Sequence, residues 1–384
     1  GRMTERLFIR SFRMNLPAMQ DLFSLVADDL YRDPAQACRS SGSPIYPQLR
    51  LAMALRFLAG GSYLDISVLY GVSPEGFYES LWMVLASLVR HVAIQFSMRA
   101  QDCANVAAGF LRRQRRHVFR GVVGALDGIL IKTKRPTMGE YAKPAQFWCR
   151  KQFYGLNVQA ICDAARIFLF VAIDCPASVH DSLAFSMSTL GRYIDQLPAG
   201  YYLVADAAYK AIPRCLVLFE GRGGTEGERN FSFYQSSLRI NVECAFGMLI
   251  RRWGVLWRPL QCSLMHNILI VQACFAMHNW CQRHRAPIPV LPPRGRGSAR
   301  LNDRPVLDDQ GRPADLMDDE ALRGARTNMP MAALRREMVA EMEELNMRRP
   351  VPSMGAQATD WAEALAQQEE MELEYPDESP WVDP

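Results

Sequence analysis

Three acidic residues interrupt segments that otherwise read as buried core. Asp127 stands in the apolar run "GVVGALDGILIKTK" (121–134), Asp206 closes the strand-like "YYLVADAAY" (201–209), and Glu243 lies in "SSLRINVECAFGMLIRRWGVLW" (236–257). Taking a lone carboxylate out of water is expensive, so buried acids are paired, neutralised or bound to a cation. No basic partner is evident at the same depth in these runs. Clustered carboxylates raise one another's pKa values, and a divalent cation reverses that preference by rewarding adjacent anionic oxygens. All-oxygen ligation suits Mg²⁺ or Mn²⁺ and not zinc. A fourth acid, Asp181, follows His180 in "CPASVHDSLAF" (175–185), where it serves either as a first-turn acid of a helix or as a further member of the cluster. The plain alternative is that each acid is an exposed strand end or a helix-face residue.

These acids need elements to position them. The periodicity of residues 121–207 is strand-rich: "GVVGALDGILIK", "FYGLNVQAICD" (153–163) and "RIFLFVAIDC" (166–175), the last two joined by a turn at Asp163-Ala164-Ala165. A helix over 180–197, a strand over 201–209 ending in Asp206 and a long helix over 236–257 follow, which makes an α/β domain with a mixed sheet. Residues 1–120 read as helical throughout. "LRLAMALRFLAGG" (49–61) has helical apolar spacing, and "SYLDISVLYG" (62–71) follows with Ser62 as a plausible N-cap. "VSPEGFYESLWMVLASLVRHV" (72–92) opens on Ser73, Pro74 and Glu75, a set of helix-start signals. The break at Gly71 between two compact helices matches a helix-turn-helix, with the helix beginning near Pro74 as its groove-reading element; a helical hairpin in a core reads the same way.

Positive charge is local. The net charge is +4, and only five of the basic residues are lysines. Arg112, Arg113, Arg115, Arg116 and Arg120 crowd into "LRRQRRHVFR" (111–120), a patch suited to phosphate contacts or to a solvated helix face. Arg150 and Lys151, and Arg251 and Arg252 after Glu243, are further candidates for DNA phosphate. Residues 286–314 form a Pro/Gly/Arg linker, 315–350 a helix-prone segment interrupted at Pro330, and 351–384 a tail with nine acids and no Lys or Arg, expected to be disordered. Ten cysteines without a C-x-x-C pair are expected to be reduced. No stretch approaches the ~20 apolar residues of a membrane span, and no signal peptide is expected at the start.

Between Asp127 and Cys281 several blocks resemble, in order, the nuclease domain of PIF/Harbinger-type transposases and the nuclease-like proteins derived from them. They are "LDGILIKTKRP" (126–136), "CRKQFYGLNVQAICDAARIFLFVAIDCPASVHDSLAF" (149–185), "YYLVADAAY" (201–209), "NVECAFGMLIRRWGVL" (241–256) and "AMHNWC" (276–281). The resemblance implies a ribonuclease-H-like mixed sheet flanked by helices, preceded by an all-helical helix-turn-helix region. The implied division is 1–48 helical, 49–110 DNA-binding and 111–285 nuclease. It implies a DDE catalytic set of Asp127, Asp206 and Glu243, with Asp181 also on the metal. The chain departs from the family pattern around these acids. "ADAAY" stands where Gly-Asp-Ser-Gly-Tyr is usual, Ile129 and Leu130 follow the first Asp-Gly, and Cys244 replaces the arginine usual after the glutamate.

The implied chemistry is two-metal phosphoryl transfer. One Mg²⁺ on Asp127 and Asp206 would activate water or a DNA 3′-hydroxyl, and a second on Asp127 and Glu243 would stabilise the leaving oxygen. The implied partners are transposon and target DNA, a Myb-like accessory protein and further copies of the chain, in the nucleus. The competing expectations are a derived DNA-binding protein that keeps the fold without cutting, and a helical scaffold with no DNA role. Gly128 is expected to leave room for ions and DNA beside Asp127.

Overall fold

The structure, a computed structural model, describes residues 4–32, 44–114, 116–219, 224–286 and 329–349. Arg115, most of the 286–314 linker, residues 315–328 and the 351–384 tail therefore lie outside the described residues.

Six helices precede the sheet among the described residues: α1 (Glu5–Phe12), α2 (Leu16–Leu30), α3 (Pro47–Leu58), α4 (Tyr63–Tyr70), α5 (Pro74–His91) and α6 (Ala100–Leu111). Their starts follow from local chemistry. Asn15 Oδ1 accepts the Ala18 N–H at 3.1 Å, and Ser73 Oγ accepts the Gly76 N–H at 3.1 Å with Pro74 in the first turn. The α4 helix ends on Gly71 at φ 64°, a left-handed cap that costs glycine little.

The sheet contains β1 (Val122–Lys132), β2 (Gly155–Cys162), β3 (Phe168–Pro176), β4 (Tyr202–Ala205) and β5 (Cys215–Val217) in the order β3-β2-β1-β4-β5. The β1–β2–β3 meander is antiparallel, whereas β4 runs parallel to β1 and β5 parallel to β4. Asp163 makes the β2–β3 turn, its Oδ1 accepting the N–H of Ala165 and of Ile167, each at 2.8 Å. The remaining helices are α7 (Asp181–Met187), α8 (Glu226–Arg252), α9 (Leu264–Arg283) and α10 (Met331–Glu344). This mixed α/β architecture, with helices on the sheet and a helical region before it, agrees with the ribonuclease-H-like expectation.

Some boundaries differ from those expected. The helix predicted over 180–197 stops at Met187 and resumes as a 3₁₀ turn at Gly191–Gln196. Ser188 is the reason: its hydroxyl donates to the Phe185 carbonyl at 2.6 Å and accepts the Gly191 N–H at 3.0 Å, replacing helical bonds. The α8 helix begins at Glu226 rather than near residue 236, because Thr225 and Glu228 form a capping box there. The short strand β5 carries no period of its own and was not expected.

The helical region and the sheet share one core. Leu81, Leu85 and Leu88 of α5 belong to the same buried cluster as Val158 and Ala160 of β2 and Val242 of α8. The opposite face of the sheet, with Val123, Leu126 and Leu203, packs with Ala107 of α6 and Phe185 of α7. Backbone interlocks the two parts: a Cβ on Gly60 would lie 3.1 Å from the Gly254 backbone, and one on Gly254 would lie 2.6 Å from the Ala59 carbonyl oxygen.

Helix α5 is correspondingly a core helix. It packs against α2, α3 and α9, and its solvent-facing positions include Glu75 and Glu79. Its exposed positions also include Arg90 and His91 in the last turn, and the packing on α2, α3 and α9 covers much of the helix expected to read a groove. Among the described residues no helix is long and apolar enough to cross a membrane, and none of the described cysteines is in a disulfide.

Candidate active site

Asp127 does not end its strand. It sits in the middle of β1, at the level where the parallel neighbour β4 stops. The β1–β4 register pairs Ala125 with Val204, and two residues further along each chain come Asp127 and Asp206. Beyond Ala205 the flank of β1 has lost its strand partner. A crevice at the carboxyl end of a parallel strand, beside a topological switch, is where α/β sheets place their sites. Asp206 then turns to cap the 3₁₀ turn Ala207–Tyr209, its Oδ1 accepting the Ala208 N–H at 2.9 Å.

The third acid arrives on α8, which crosses β1, β2 and β4. One face of this helix presents Gln235, Arg239 and Glu243 at successive four-residue steps. Gln235 is fully buried, and its amide donates to the carbonyls of Ala205 at 2.9 Å and Leu216 at 2.8 Å, which ties α8 to the ends of β4 and β5. Two turns later Glu243 lies on the same face of α8, near Asp127 of β1. Both Glu243 and Asp127 are about four-fifths enclosed, with side-chain exposures of 23% and 21%.

Between them lies Arg239. Its guanidinium pairs with Glu243 on its own helix and reaches Asp127 Oδ2 at 3.5 Å across the helix–strand interface. This overturns the expectation that no basic partner lies at that depth. The signal was legible as an arginine four residues before a helical glutamate, but only the packing shows that this face points inward. Arg239 is itself 13% exposed, and its Nε–H is buried without a hydrogen-bond partner.

Asp181 approaches from the other side of β1. Its Oδ1 accepts from Asn157 Nδ2 and Gln159 Nε2, each at 3.0 Å, and Gln159 in turn accepts the Tyr209 hydroxyl proton at 2.6 Å. Gly128 makes this possible. A Cβ there would lie 2.5 Å from Gln159 Nε2 and 2.6 Å from Asp181 Oδ1. The space expected to admit ions and DNA is thus taken by these two side chains. Asn157 and Gln159 were not singled out in the sequence, yet two amides at alternate positions of a wholly buried strand were a readable sign of a polar network on one face.

The electrostatics express the crowding. Burial, reinforced by the charges of Asp206 and Glu243, pushes Asp127 up to about 7 against the pull of Arg239 and the Gly128 N–H. Burial also raises Asp206, with Asp181 adding to the effect. Although β1 keeps Asp127 and Asp181 on different sides, Asp206 stands near both. Among the described residues no three Asp, Glu, His or Cys side chains are gathered tightly enough to hold an ion as they stand. The donor set nevertheless fits a hard divalent cation in kind: it is all carboxylate, it is buried, and it is under-neutralised by a single guanidinium.

The expected phosphate contacts divide. Arg112, Arg113, Arg116, Arg150, Lys151 and Arg251 are exposed. Arg113 Nη1 donates to Asn241 at 3.2 Å, two residues before Glu243, which places this arginine beside α8. Arg252 is fully buried and donates to the carbonyls of Arg13 at 2.8 Å and Ala286 at 3.1 Å; it has no face to offer DNA and is a structural residue. Arg120 likewise turns inward, to pair with Glu341 of α10.

Residues 126–279 match the family model described as DDE superfamily endonuclease. The chain is also 23% identical over 299 residues to "Protein ALP1-like" of Arabidopsis thaliana, covering 70% of this chain and 72% of that protein. No solved structure matches. The matched span opens one residue before Asp127 and closes on Asn279, so the part of the chain that is similar to DDE superfamily endonucleases takes in all four acids and the helix that carries Glu243.

Proposed function

We propose that the chain is a DNA endonuclease of transposase type, whose reacting phosphate meets Asp127, Asp206 and Glu243 in the crevice beyond the end of β4. The observation that carries the reading is the bridging of Asp127 and Glu243, from a strand and a helix, by one cation, with Asp206 next in register. That is an enclosed group of acids with more negative charge than its one arginine offsets. Divalent ions held by these carboxylates, with Asp181 beside them, would supply two-metal phosphoryl transfer, lowering the pKa of the attacking hydroxyl and offsetting charge on the leaving oxygen.

The chain's own residues do the positioning. The Gly128 N–H holds Asp127 Oδ1 at 2.8 Å, the Ala208 N–H holds Asp206, and Asn157 and Gln159 hold Asp181. Arg112, Arg113, Arg116, Arg150, Lys151 and Arg251 are the exposed candidates suited to the DNA backbone. The same reading carries two further partners, a Myb-like accessory protein and a second copy of the chain, and a nuclear location.

Mg²⁺-dependent nicking of supercoiled DNA tests it. Wild type should nick, and Asp127→Ala and Glu243→Ala should lose at least about a hundredfold in rate. Equal cutting by wild type and both variants would sink the assignment. A second reading, a DNA-binding protein that does not cut, is favoured by "ADAAY" at the second acid and by the guanidinium between the first and third. In that case wild type binds DNA and none of the three proteins nicks it.

A further inference from the structure

The position of Arg239 raises a question that the family resemblance does not answer. An arginine four residues before a glutamate commonly makes an exposed pair along one helix. Here the pair is turned inward and extended across an interface, from α8 to Asp127 on β1. The guanidinium therefore stands among the carboxylates that an ion would need. It is also incompletely satisfied, because its Nε–H is buried and meets no acceptor. A divalent cation bonded to Asp127 and Glu243 would sit against this positive charge with little water between them to screen it. Both cations cannot occupy that space at low cost.

We propose that Arg239 is the resident counter-cation of the carboxylate cluster. It holds Asp127 and Glu243 together when no metal is bound, and it must leave that position for a divalent cation to bind. The inference rests on the metal-dependent reading above and assigns this residue a positioning role: it sets the affinity of the site for the ion and keeps the acids from splaying apart. Gln235, one turn earlier on the same face, keeps α8 docked on the strand ends whichever cation is present.

Direct binding of Mn²⁺, followed by electron paramagnetic resonance, tests the idea without any need for cleavage. Wild type, Arg239→Gln, Arg239→Lys and Asp127→Asn are titrated, and their thermal stability is measured with and without Mn²⁺. The expected result is that Arg239→Gln binds Mn²⁺ about tenfold or more tighter than wild type. It should also melt lower than wild type without the ion and gain more from adding it. Arg239→Lys should fall between the two. If Arg239→Gln does not fold without metal, its recovery on adding Mn²⁺ supports the proposal, and failure to recover overturns it.

Wild-type or weaker Mn²⁺ affinity in Arg239→Gln also overturns it. The outcomes separate the two levels of the argument. If wild type binds Mn²⁺ and Asp127→Asn does not, the metal reading stands whatever Arg239 does. If Asp127→Asn binds as wild type does, or nothing binds, the metal reading fails and this inference with it.

Discussion

Helix α8 carries two enclosed arginines, and they are held in opposite ways. Arg252, at its C-terminal end, donates to backbone carbonyls from two remote segments, Arg13 and Ala286. Beside it, α9 holds the turn and edge of the β2–β3 hairpin. His278 donates to the Arg166 carbonyl at 2.8 Å, and the Asn279 amide exchanges a pair of hydrogen bonds, 2.8 and 2.7 Å, with the Phe168 backbone. These contacts stitch chain segments together with a single fixed charge. Arg239, three turns earlier, is surrounded by carboxylates that it cannot fully neutralise, and part of its own hydrogen-bonding capacity is unused. The first region is built to be permanent. The second holds more charge than stability alone would favour, a pattern that clusters at functional sites.

The sharpest way to break this contrast is Arg252→Ala. It should remove about 3–5 kcal/mol of stability, since it leaves a large void and strands two carbonyls in the interior. Urea denaturation measures it, and a loss below about 1 kcal/mol would place Arg252 with the surface arginines.

Next comes a pH effect confined to the structural region. Burial holds His278 down at about 4, from an ordinary 6.5. Between those values the unfolded chain takes up a proton that the folded chain refuses, so stability falls as pH drops from 6.5 towards 4, by up to about 3 kcal/mol. His278→Asn should flatten this part of the stability–pH curve, and an unchanged slope would remove His278 as its source.

Gly128→Ala should cost about 2 kcal/mol, because the new methyl group overlaps Gln159 and Asp181. Cleavage should fall further than stability does, as the Asp181 network is displaced, and comparing melting with nicking separates the two effects.

The smallest effect has the opposite sign. Asp127→Asn should stabilise the metal-free protein by about 1 kcal/mol above pH 7. Its carboxylate, raised to about 7, resists ionisation in the folded state while the unfolded group ionises freely near 3.8. Between 3.8 and 7 the folded form therefore keeps the extra proton, and stability declines as pH rises. A destabilised Asp127→Asn in thermal melts would mean that the Arg239 contact outweighs burial, and the two regions of α8 would then differ less than proposed.

Much of the candidate site is legible in the sequence. Asp127, Asp206, Glu243 and Asp181 stand out because an acid in an apolar run is conspicuous, and period-two and capping signals locate β1 to β4 and the helices before them. Other features depend on orientation. The helix-start signals at Ser73 and Pro74 are correct, but they say nothing about which face of α5 is covered, and α2, α3 and α9 cover most of it. Arg251 and Arg252 are neighbours of the same type, yet one is exposed and the other buried, because a helix turns about 100° between consecutive residues.

The sequence by itself thus determined which residues are acids in apolar runs, where helices start and where strands alternate, since these depend on neighbours a few positions away. Only the tertiary structure decided that Arg239 stands between Asp127 and Glu243, that Gly128 gives its space to Asp181, and that Arg252 clamps Arg13 to Ala286. Each of these joins residues far apart in the chain, and the direction in which a side chain points is settled when one element packs upon another.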